Sequence, residues 1–329
     1  MSGSYVLQPD PEDLRLSTSV TGIDQDGQPV ETRVVTEKPL TLYLNSQEVV
    51  TMMTIGDHPD LLAVGYLKNQ NMLAEDDVIT GIDHDDDLDV VVVRTERETN
   101  FEEKLKKKVR TSGCAQGTVF GDVMDGFDTV QLAEDARLNT SWLYALTKTI
   151  NTTPSLYLEA GAIHGCVLCQ KDRALVYMED VGRHNAVDKI AGWMVLNNIP
   201  AHDKIFYTTG RLTSEMVIKT VMMGIPILVS RSGFTAWGVE LARKAGLTLI
   251  GMPIITVLMM GIPILVSRSG FTAWGVELAR KAGLTLIGRA RGKRFVALSG
   301  QDRIVFDMSA SDVEDEPDTA RRKGSVPAE

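Results

Sequence analysis

A perfect internal repeat constrains this chain more than any other feature of its sequence. Residues Met222–Gly251 and Met259–Gly288 are identical, and the short segment Met252–Leu258 separates them. One perfect pair between unrepeated flanks does not describe a solenoid, because stacked repeats need several units and distinct capping units. Only one copy can therefore fill a given place in a sheet. The other copy must pack elsewhere or leave apolar strands exposed, which favours aggregation.

Each copy is predicted to form a strand, a helix and a second strand. In the first copy, apolar and β-branched residues predict strands over Ile225–Ser230 and Leu247–Ile250. Thr235 is placed to cap a helix that ends near Ala245, and Gly246 then closes that helix. The repeat therefore has the character of a segment from an α/β sheet.

The composition favours a globular protein of a reducing compartment. Its 329 residues, 43% of them hydrophobic, can bury the core of one large domain or two modest ones. A net charge of -10 argues against general binding to nucleic acids or membrane surfaces, so any anion site must be local. Three cysteines are too few for a disulfide framework, and the N-terminus resembles no secretion signal. We therefore expect a cytoplasmic protein with free thiols.

One uncharged stretch, residues 246–267, is long enough to suggest a transmembrane helix. Two prolines and three glycines interrupt it. Because these residues break helices, we interpret the stretch as two buried strands in tandem and expect no membrane partner.

Composition divides the chain into four segments. Polar, turn-rich residues 1–29 are predicted to be mobile, and residues 308–329 are predicted to be disordered because they are charged and lack aromatic side chains. Residues 30–110 are predicted to form a smaller α+β portion, and residues 111–307 an α/β domain that carries the repeat. In the smaller portion the predicted elements are strands within Val30–Asn45 and Val90–Arg94 and a helix over Pro59–Leu73.

Strands and helices alternate through the larger segment, which favours an α/β fold with a mixed sheet covered by helices. A helix capped by Ser141 is predicted to bury Leu143, Leu146 and Ile150, and a second helix begins near Asn185. The predicted strands that precede the repeat are Leu156–Ala160, Ala174–Met178 and Lys204–Thr208.

A glycine beside an arginine recurs where the predicted strands end. Crevices at the carboxyl ends of strands in open α/β sheets bind ligands, and helix N-termini there favour anions. Glycine lets backbone amides approach phosphate oxygens, and arginine offers a planar fork of donors. The pattern predicts a cleft for a nucleotide-like ligand. Its turns are Gly182-Arg183, Gly210-Arg211, Arg231-Ser232-Gly233 with its duplicate, and Gly288-Arg289.

Cys114 is the candidate nucleophile. It lies in the loop TSGCAQGT between Gly113 and Gly117, where a thiol can be presented to a partner. Arg110 and the preceding lysines can lower its pKa and so increase the share of reactive thiolate.

Two further features leave alternatives open. Cys166 and Cys169 follow His164 as a CxxC, which is either a zinc or redox module or a pair of partly buried thiols. If that segment is extended, the two cysteines point to opposite faces and cannot share a metal. His184 is a proton donor, a hydrogen-bonding partner of the ligand or simply a residue at the start of a helix.

Four motifs together resemble one known family, the formate dehydrogenase accessory sulfurtransferases, FdhD. They are EDVGRHNAVDK (Glu179–Lys189), TTGRLTSE (Thr208–Glu215), the GIPILVS segment and LTLIGRARGKRF (Leu284–Phe295). The resemblance extends over about Val30–Phe306. It implies a cytoplasmic homodimer that takes persulfide sulfur from a cysteine desulfurase. It further implies delivery to the bis-molybdopterin guanine dinucleotide form of the molybdenum cofactor, before that cofactor enters formate dehydrogenase. The larger domain is expected to resemble the cytidine deaminase fold.

The resemblance also implies roles for individual residues. Cys114 corresponds to the persulfide-bearing cysteine, although Cys114-Ala115-Gln116-Gly117 keeps only the first cysteine of the family's CxxC. A persulfide there cannot be discharged as a disulfide within the loop. A cofactor-binding chaperone without catalysis remains an alternative, and no permanent cofactor is expected. The predicted cofactor contacts are Arg289, Ala290, Arg291, Gly292, Lys293, Arg294, Gly182, Arg183, His184, Gly210 and Arg211.

Overall fold

The structure is a computed structural model that describes residues 5–23, 29–74, 76–97, 120–160, 162–251, 264–266, 281, 285–291, 294–299 and 326–327. These residues form seven helices and four sheets. The first sheet pairs β1 (Ser17–Ile23) with β2 (Pro29–Val35), so a strand lies inside the segment predicted to be mobile.

A four-stranded sheet forms the centre of the smaller N-terminal portion. Its order is β4-β3-β6-β5, and apolar residues of β3 and β6 pack against a helix, α1 (Pro59–Asn69). The predicted strands and the predicted helix in this portion are confirmed, although the helix ends at Asn69 rather than Leu73. The strands are β3 (Lys38–Leu44), β4 (Gln47–Thr54), β5 (Ile79–Asp85) and β6 (Val90–Thr95).

The largest sheet has five strands in the order β11-β10-β9-β7-β8. The strands β9, β10 and β11 are parallel, and β7 is antiparallel to both of its neighbours. The predicted mixed α/β sheet is therefore confirmed. The strands are β7 (His164–Gln170), β8 (Arg173–Asp180), β9 (Lys204–Thr208), β10 (Ile227–Ser230) and β11 (Thr248–Gly251).

Helices cover both faces of this sheet because its strands are apolar on both sides. One face packs against α2, α5, α6 and α7, and the other packs against α3 through Leu143, Leu146 and Ile150, as their spacing predicts. The helices are α2 (Phe120–Thr129), α3 (Thr140–Thr152), α4 (Leu156–Glu159), α5 (Arg183–Leu196), α6 (Ser214–Met222) and α7 (Ala236–Lys244).

Two local predictions are wrong. Leu156–Ala160 was expected to be a strand but contains α4, whose first turn is fixed by Ser155 and by the carboxylate of Glu179. That carboxylate accepts hydrogen bonds from the backbone N–H groups of Leu156 and Tyr157, both at 2.9 Å. Ser141 lies inside α3, and Asn139 occupies its N-cap position.

Glycines allow α1 of the N-terminal portion to cross α5 at very short range. A Cβ on Gly65 would stand 1.7 Å from the carbonyl oxygen of Asp188, and one on Gly192 would stand 2.0 Å from that of Leu61. Only residues without a side chain fit this crossing. It fixes α1 directly against α5, whose N-cap residue is Gly182.

The first copy of the repeat fills the large sheet. Its helix is capped by the hydroxyl of Thr235, which accepts a hydrogen bond from the Gly238 amide at 3.2 Å. Gly246 follows the end of this helix, as predicted, and has a positive φ of 67°. In the second copy, β12 (Ile264–Val266) pairs with β13 (Thr285–Arg291). The register is the same as that between β10 and β11 of the first copy, because Ile264 faces Thr285 as Ile227 faces Thr248. This second pair joins β14 (Arg294–Ser299) in a separate sheet.

The uncharged stretch 246–267 has a strand at each of its described ends, β11 and β12. No helix in the described part of the chain is long and apolar enough to cross a bilayer.

Candidate functional site

Three of the predicted Gly-Arg turns meet at one edge of the five-stranded sheet. The strands β8, β9 and β10 run in the same direction, so their carboxyl ends lie along that edge, and antiparallel β7 begins there with His164. Each turn follows one of these strand ends. The arrangement is the one at which open α/β sheets bind ligands. We call residues 182–184, 209–211 and 231–233 the Gly-Arg edge.

Hydroxyl groups at the strand ends shape the turn at Gly210. The Thr208 hydroxyl accepts a hydrogen bond from the Gly210 amide at 3.1 Å, and the Ser230 hydroxyl donates to the Gly210 carbonyl at 2.7 Å. The stem of Arg183 lies over this glycine, since a Cβ on Gly210 would stand 3.2 Å from Cδ of Arg183. The first two Gly-Arg turns are thus in contact.

A histidine–carboxylate pair and an ion pair join α5 to α6 behind this edge. Nε2 of His184 lies 2.9 Å from Oε2 of Glu215, and Nζ of Lys219 lies 2.5 Å from Oδ2 of Asp188. The partners in each helix are four residues apart, which puts both pairs on facing surfaces of the two helices. The His184–Glu215 pair lies nearer solvent, with side chains 20% and 12% exposed, than Lys219 and Asp188 at 9% and 1%.

The histidines at this edge are uncharged at neutral pH. Burial lowers the pKa of His184, and Lys219 and Arg183 lower it further, although Glu215 opposes them. Burial also lowers the pKa of His164, helped by the positive charges of Arg183 and Arg211 and by His184. The edge therefore combines cationic arginines with neutral imidazoles.

Much of the EDVGRHNAVDK motif holds the structure together. Oδ1 of the fully buried Asp180 accepts hydrogen bonds from the Gly182 amide at 3.0 Å and from the Asn185 side chain at 2.9 Å. Its Oδ2 accepts from Lys189 and from Thr54 at the end of β4, both at 2.6 Å. The network fixes the Gly182 turn and links it to the N-terminal sheet.

Lys189 is buried completely yet remains charged. It contacts Asp57 and Asp180, and these carboxylates raise its pKa against the opposing effect of burial. A buried ion of this kind persists only when it is fully paired.

Arg231 is held by protein groups. Its guanidinium donates to the Tyr157 hydroxyl at 2.6 Å and to the Asn151 side chain at 2.9 Å, and it lies 4.7 Å from the centre of the Tyr157 ring. Its structural contribution is to fix the third turn against α3 and α4.

The two described cysteines cannot form one metal site. Cys166 belongs to the apolar cluster on one face of the sheet and Cys169 to the cluster on the other, which confirms the geometric prediction. Both are fully buried. Burial raises the pKa of Cys166 to about 12, despite a hydrogen bond to the Thr208 hydroxyl at 3.4 Å, and also raises the pKa of Cys169. No group of three or more potential metal ligands occurs in the part of the chain that the structure describes.

The remaining predicted site residues are not part of this edge as described. Cys114, Gly292 and Lys293 lie outside the described residues. Arg289, Ala290 and Arg291 end β13, and Arg294 begins the antiparallel β14, so the described residues of the predicted cofactor loop lie in strands of the second copy's sheet. The sequence did not single out Glu215. Glu215 lies four residues before Lys219, as His184 lies four residues before Asp188. This matched spacing becomes informative only once α5 and α6 are known to be adjacent.

Comparison with known proteins gives a consistent result. The family model for the FdhD/NarQ family matches residues 35–253 and 254–305. A Bacillus subtilis protein named sulfur carrier protein FdhD is 30% identical over 223 residues, which cover 68% of this chain and 85% of that protein. A Wolinella succinogenes protein of the same name is 30% identical over 222 residues, which cover 66% of this chain and 76% of that protein.

A solved structure shares the fold. The crystal structure of a protein from Desulfotalea psychrophila, described as a formate dehydrogenase accessory protein, superposes with a TM-score of 0.54 at 24% identity. The match covers 88% of this chain and 98% of that one.

Proposed function

Because this chain belongs to the FdhD/NarQ family, we propose that it is a sulfur carrier that serves formate dehydrogenase. The name of its relatives supports sulfur carriage, and the accessory role given to its structural neighbour supports the client. The observation that carries the proposal on this chain is the Gly-Arg edge, where three turns from separate parts of the sequence meet. We further propose that it acts as a sulfurtransferase with a persulfide on Cys114.

The proposed reaction begins with the Cys114 thiolate. It attacks the outer sulfur of a persulfide on a cysteine desulfurase, the S–S bond of the donor breaks, and the donor cysteine leaves as a thiolate. Cys114 then carries the persulfide. The S–S bond of this persulfide then breaks, Cys114 leaves as a thiolate, and the outer sulfur passes to the bis-molybdopterin guanine dinucleotide form of the molybdenum cofactor, which is the acceptor and not a resident cofactor. The two electrons that reduce this sulfur to sulfide are supplied by an external dithiol, which becomes a disulfide.

The edge provides groups suited to that acceptor. The arginines Arg183 and Arg211 match the needs of phosphate oxygens. The turns at Gly182 and Gly210, whose own amides donate to Asp180 and Thr208, hold these arginines at the edge. His184 is the remaining proposed contact. The loop Arg289–Arg294 is proposed to add further cations, since charge-assisted hydrogen bonds to phosphate are stronger than neutral ones.

The test is transfer of sulfur to Cys114. The protein is incubated with a cysteine desulfurase and cysteine, and intact and peptide mass spectrometry locates any added sulfur. We expect one sulfur on Cys114, none in Cys114→Ala, and unchanged loading in Cys166→Ala. Unchanged sulfur loading and delivery by Cys114→Ala would remove Cys114 from the mechanism. Binding of the cofactor without any persulfide would instead favour the non-catalytic chaperone.

A further inference from the structure

The repeat gives the strand β11 a twin whose outer edge is occupied. Residues Thr248–Gly251 of β11 recur as Thr285–Gly288 of β13. The inner neighbours, β10 and β12, are parallel to these strands in the same register. On its outer side β13 also pairs with the antiparallel β14, whereas β11 ends the five-stranded sheet. Among the described residues, an identical strand thus has an outer partner in one copy and none in the other.

The shared sequence makes the open edge of β11 fit the same partner. The backbone supplies the hydrogen bonds between strands, and the side chains of the same four residues decide which strand packs beside them. Open edges of this kind accept an added strand. In the register of β13, Ser299 of β14 lies opposite Leu249 and Val296 lies opposite Gly251.

The sequence of β14 suits a position in the large sheet. Four of its six residues, Phe295–Leu298, are consecutive and apolar, which is typical of a strand that is covered on both faces. Leu249 packs against the apolar cluster on one face of the large sheet and Ile250 against the cluster on the other. A strand beside β11 therefore extends both clusters.

A cleft of about 710 Å³ opens near the start of β11. Its lining includes Phe127 and Leu132 on one side and Lys244 and Gly246, which lead into β11, on the other. Because β14 is antiparallel, its last residue, Ser299, lies towards this end. The cleft offers room for the chain that follows.

We propose that the outer edge of β11 is a binding site for β14 of the same chain, which exchanges between β13 and β11. The exchange breaks one strand pairing and forms an equivalent one. Gly292 and Lys293 join β14 to β13, whereas residues 252–293 lie between β14 and β11. The entropic cost of the longer loop grows only slowly with its length, and burial beside the large sheet offsets it.

The exchange changes the position of Arg294. The carboxyl end of β11 lies at the Gly-Arg edge because β11 is parallel to β10, so β14 on β11 begins at that edge. On β13, Arg294 lies in the second copy's sheet instead. The importance of this placement for ligand binding rests on the proposed function, whereas the exchange itself does not.

Disulfide trapping tests which strand holds β14. The triple variant Leu249→Cys, Leu286→Cys and Ser299→Cys, in a Cys114→Ala background, offers position 299 matched partners on β11 and β13. Facing residues of antiparallel strands have Cα atoms about 4.5–5.5 Å apart, a distance that a disulfide spans. The full-length protein is equilibrated in a glutathione buffer and its tryptic peptides are identified by mass spectrometry. Cleavage after Arg289 distinguishes the peptide of position 286 from that of position 249.

We expect both disulfides in the monomer, with the 249–299 disulfide at no less than about one tenth of the 286–299 disulfide. The 286–299 disulfide also verifies that the variant is folded. Val20→Cys with Ser299→Cys is the control, because Val20 is exposed and lies in another sheet. It should cross-link at least about a hundredfold less.

Two outcomes would overturn the exchange. One is a 286–299 disulfide without any 249–299 disulfide. The other is a 249–299 disulfide found only in covalent dimers, because the strand on β11 would then belong to a second copy.

The placement of Arg294 has its own measurement. Oxidised Leu249→Cys/Ser299→Cys protein should bind inorganic pyrophosphate about three- to tenfold more tightly than oxidised Leu286→Cys/Ser299→Cys protein, and Arg294→Ala should remove the difference. Equal binding by the two oxidised proteins would overturn this placement. None of these results bears on sulfur loading of Cys114, which is tested separately.

Discussion

Gly65 of α1 lies against the carbonyl of Asp188 in α5 so closely that no side chain fits between them. The crossing brings the N-terminal sheet to the helix that starts at the Gly-Arg edge. Asn69, at the end of α1, also donates to Asp188 at 2.7 Å, so the contact is both steric and polar.

Gly65→Ala should destabilise the protein strongly. The new Cβ would stand 1.7 Å from a backbone oxygen, which can be relieved only by separating the two helices. We expect a loss of about 3 kcal/mol in the free energy of unfolding, measured by denaturant titration. Gly81→Ala is the matched control, because a Cβ there meets nothing within 4 Å. Equal stability of the two variants would contradict the close contact between α1 and α5 at Gly65.

Glu179 should make stability depend on pH. Burial raises its pKa from 4.5 to about 7, against the backbone hydrogen bonds from Tyr157 and Leu156. Between these values the folded protein holds a proton that the unfolded chain has released, so stability falls as the pH rises from 4.5 to about 7. The effect is on the order of 3 kcal/mol.

Glu179→Gln removes this titration. The free energy of unfolding of the variant should therefore change less than that of the unaltered protein between about pH 4.5 and about pH 7.5. An unchanged pH profile in the variant would assign the titration to other groups.

The repeat allows a substitution to be compared with its own duplicate. Val229 is fully buried in β10, so Val229→Asp places a charge in the core of the large sheet. We expect it to cost at least about 3 kcal/mol, and Val266→Asp in the second copy to cost much less. Thermal unfolding of the two single variants and the double variant measures the difference. Two mild single variants with an unfolded double variant would mean that either copy can enter the sheet.

Cys166 and Cys169 should resist alkylation in the folded protein. Both are fully buried, and burial raises the pKa of Cys166 to about 12, so almost no thiolate forms at neutral pH. Mass spectrometry after brief treatment with iodoacetamide should find them modified only in denaturant. Rapid native modification, or stoichiometric zinc in the purified protein, would revive the alternative of a metal or redox module.

The sequence predicted what depends on local pattern. Hydrophobic spacing predicted α3, α5 and the strands β8 and β9, and the Thr235 cap and Gly246 predicted the helix of the repeat. Strand order, however, depends on contacts between distant segments. The prediction for Leu156–Ala160 was wrong because a distant carboxylate, Glu179, supplies the hydrogen bonds that stabilise a helical turn there.

The candidate site was predictable in part for the same reason. The Gly-Arg turns could be found because each follows a predicted strand. The partner of His184 could not, since Glu215 is 31 residues away and meets it only after α5 and α6 pack. Asp180 and Lys189, two charged residues of the EDVGRHNAVDK motif, are buried and form an ion pair with each other. The sequence alone does not distinguish such a structural pair from residues that contact a ligand.

The shared register of the two repeat copies makes the direction of protein synthesis matter. Met222 leaves the ribosome 37 residues before Met259. At translation rates of about 5–20 residues per second, this is a lead of roughly two to seven seconds. Elementary folding events such as hairpin formation and collapse are far faster. The first copy can therefore pair with β9 before the second copy has been synthesised. Synthesis from the N-terminus thus favours the arrangement that the structure adopts.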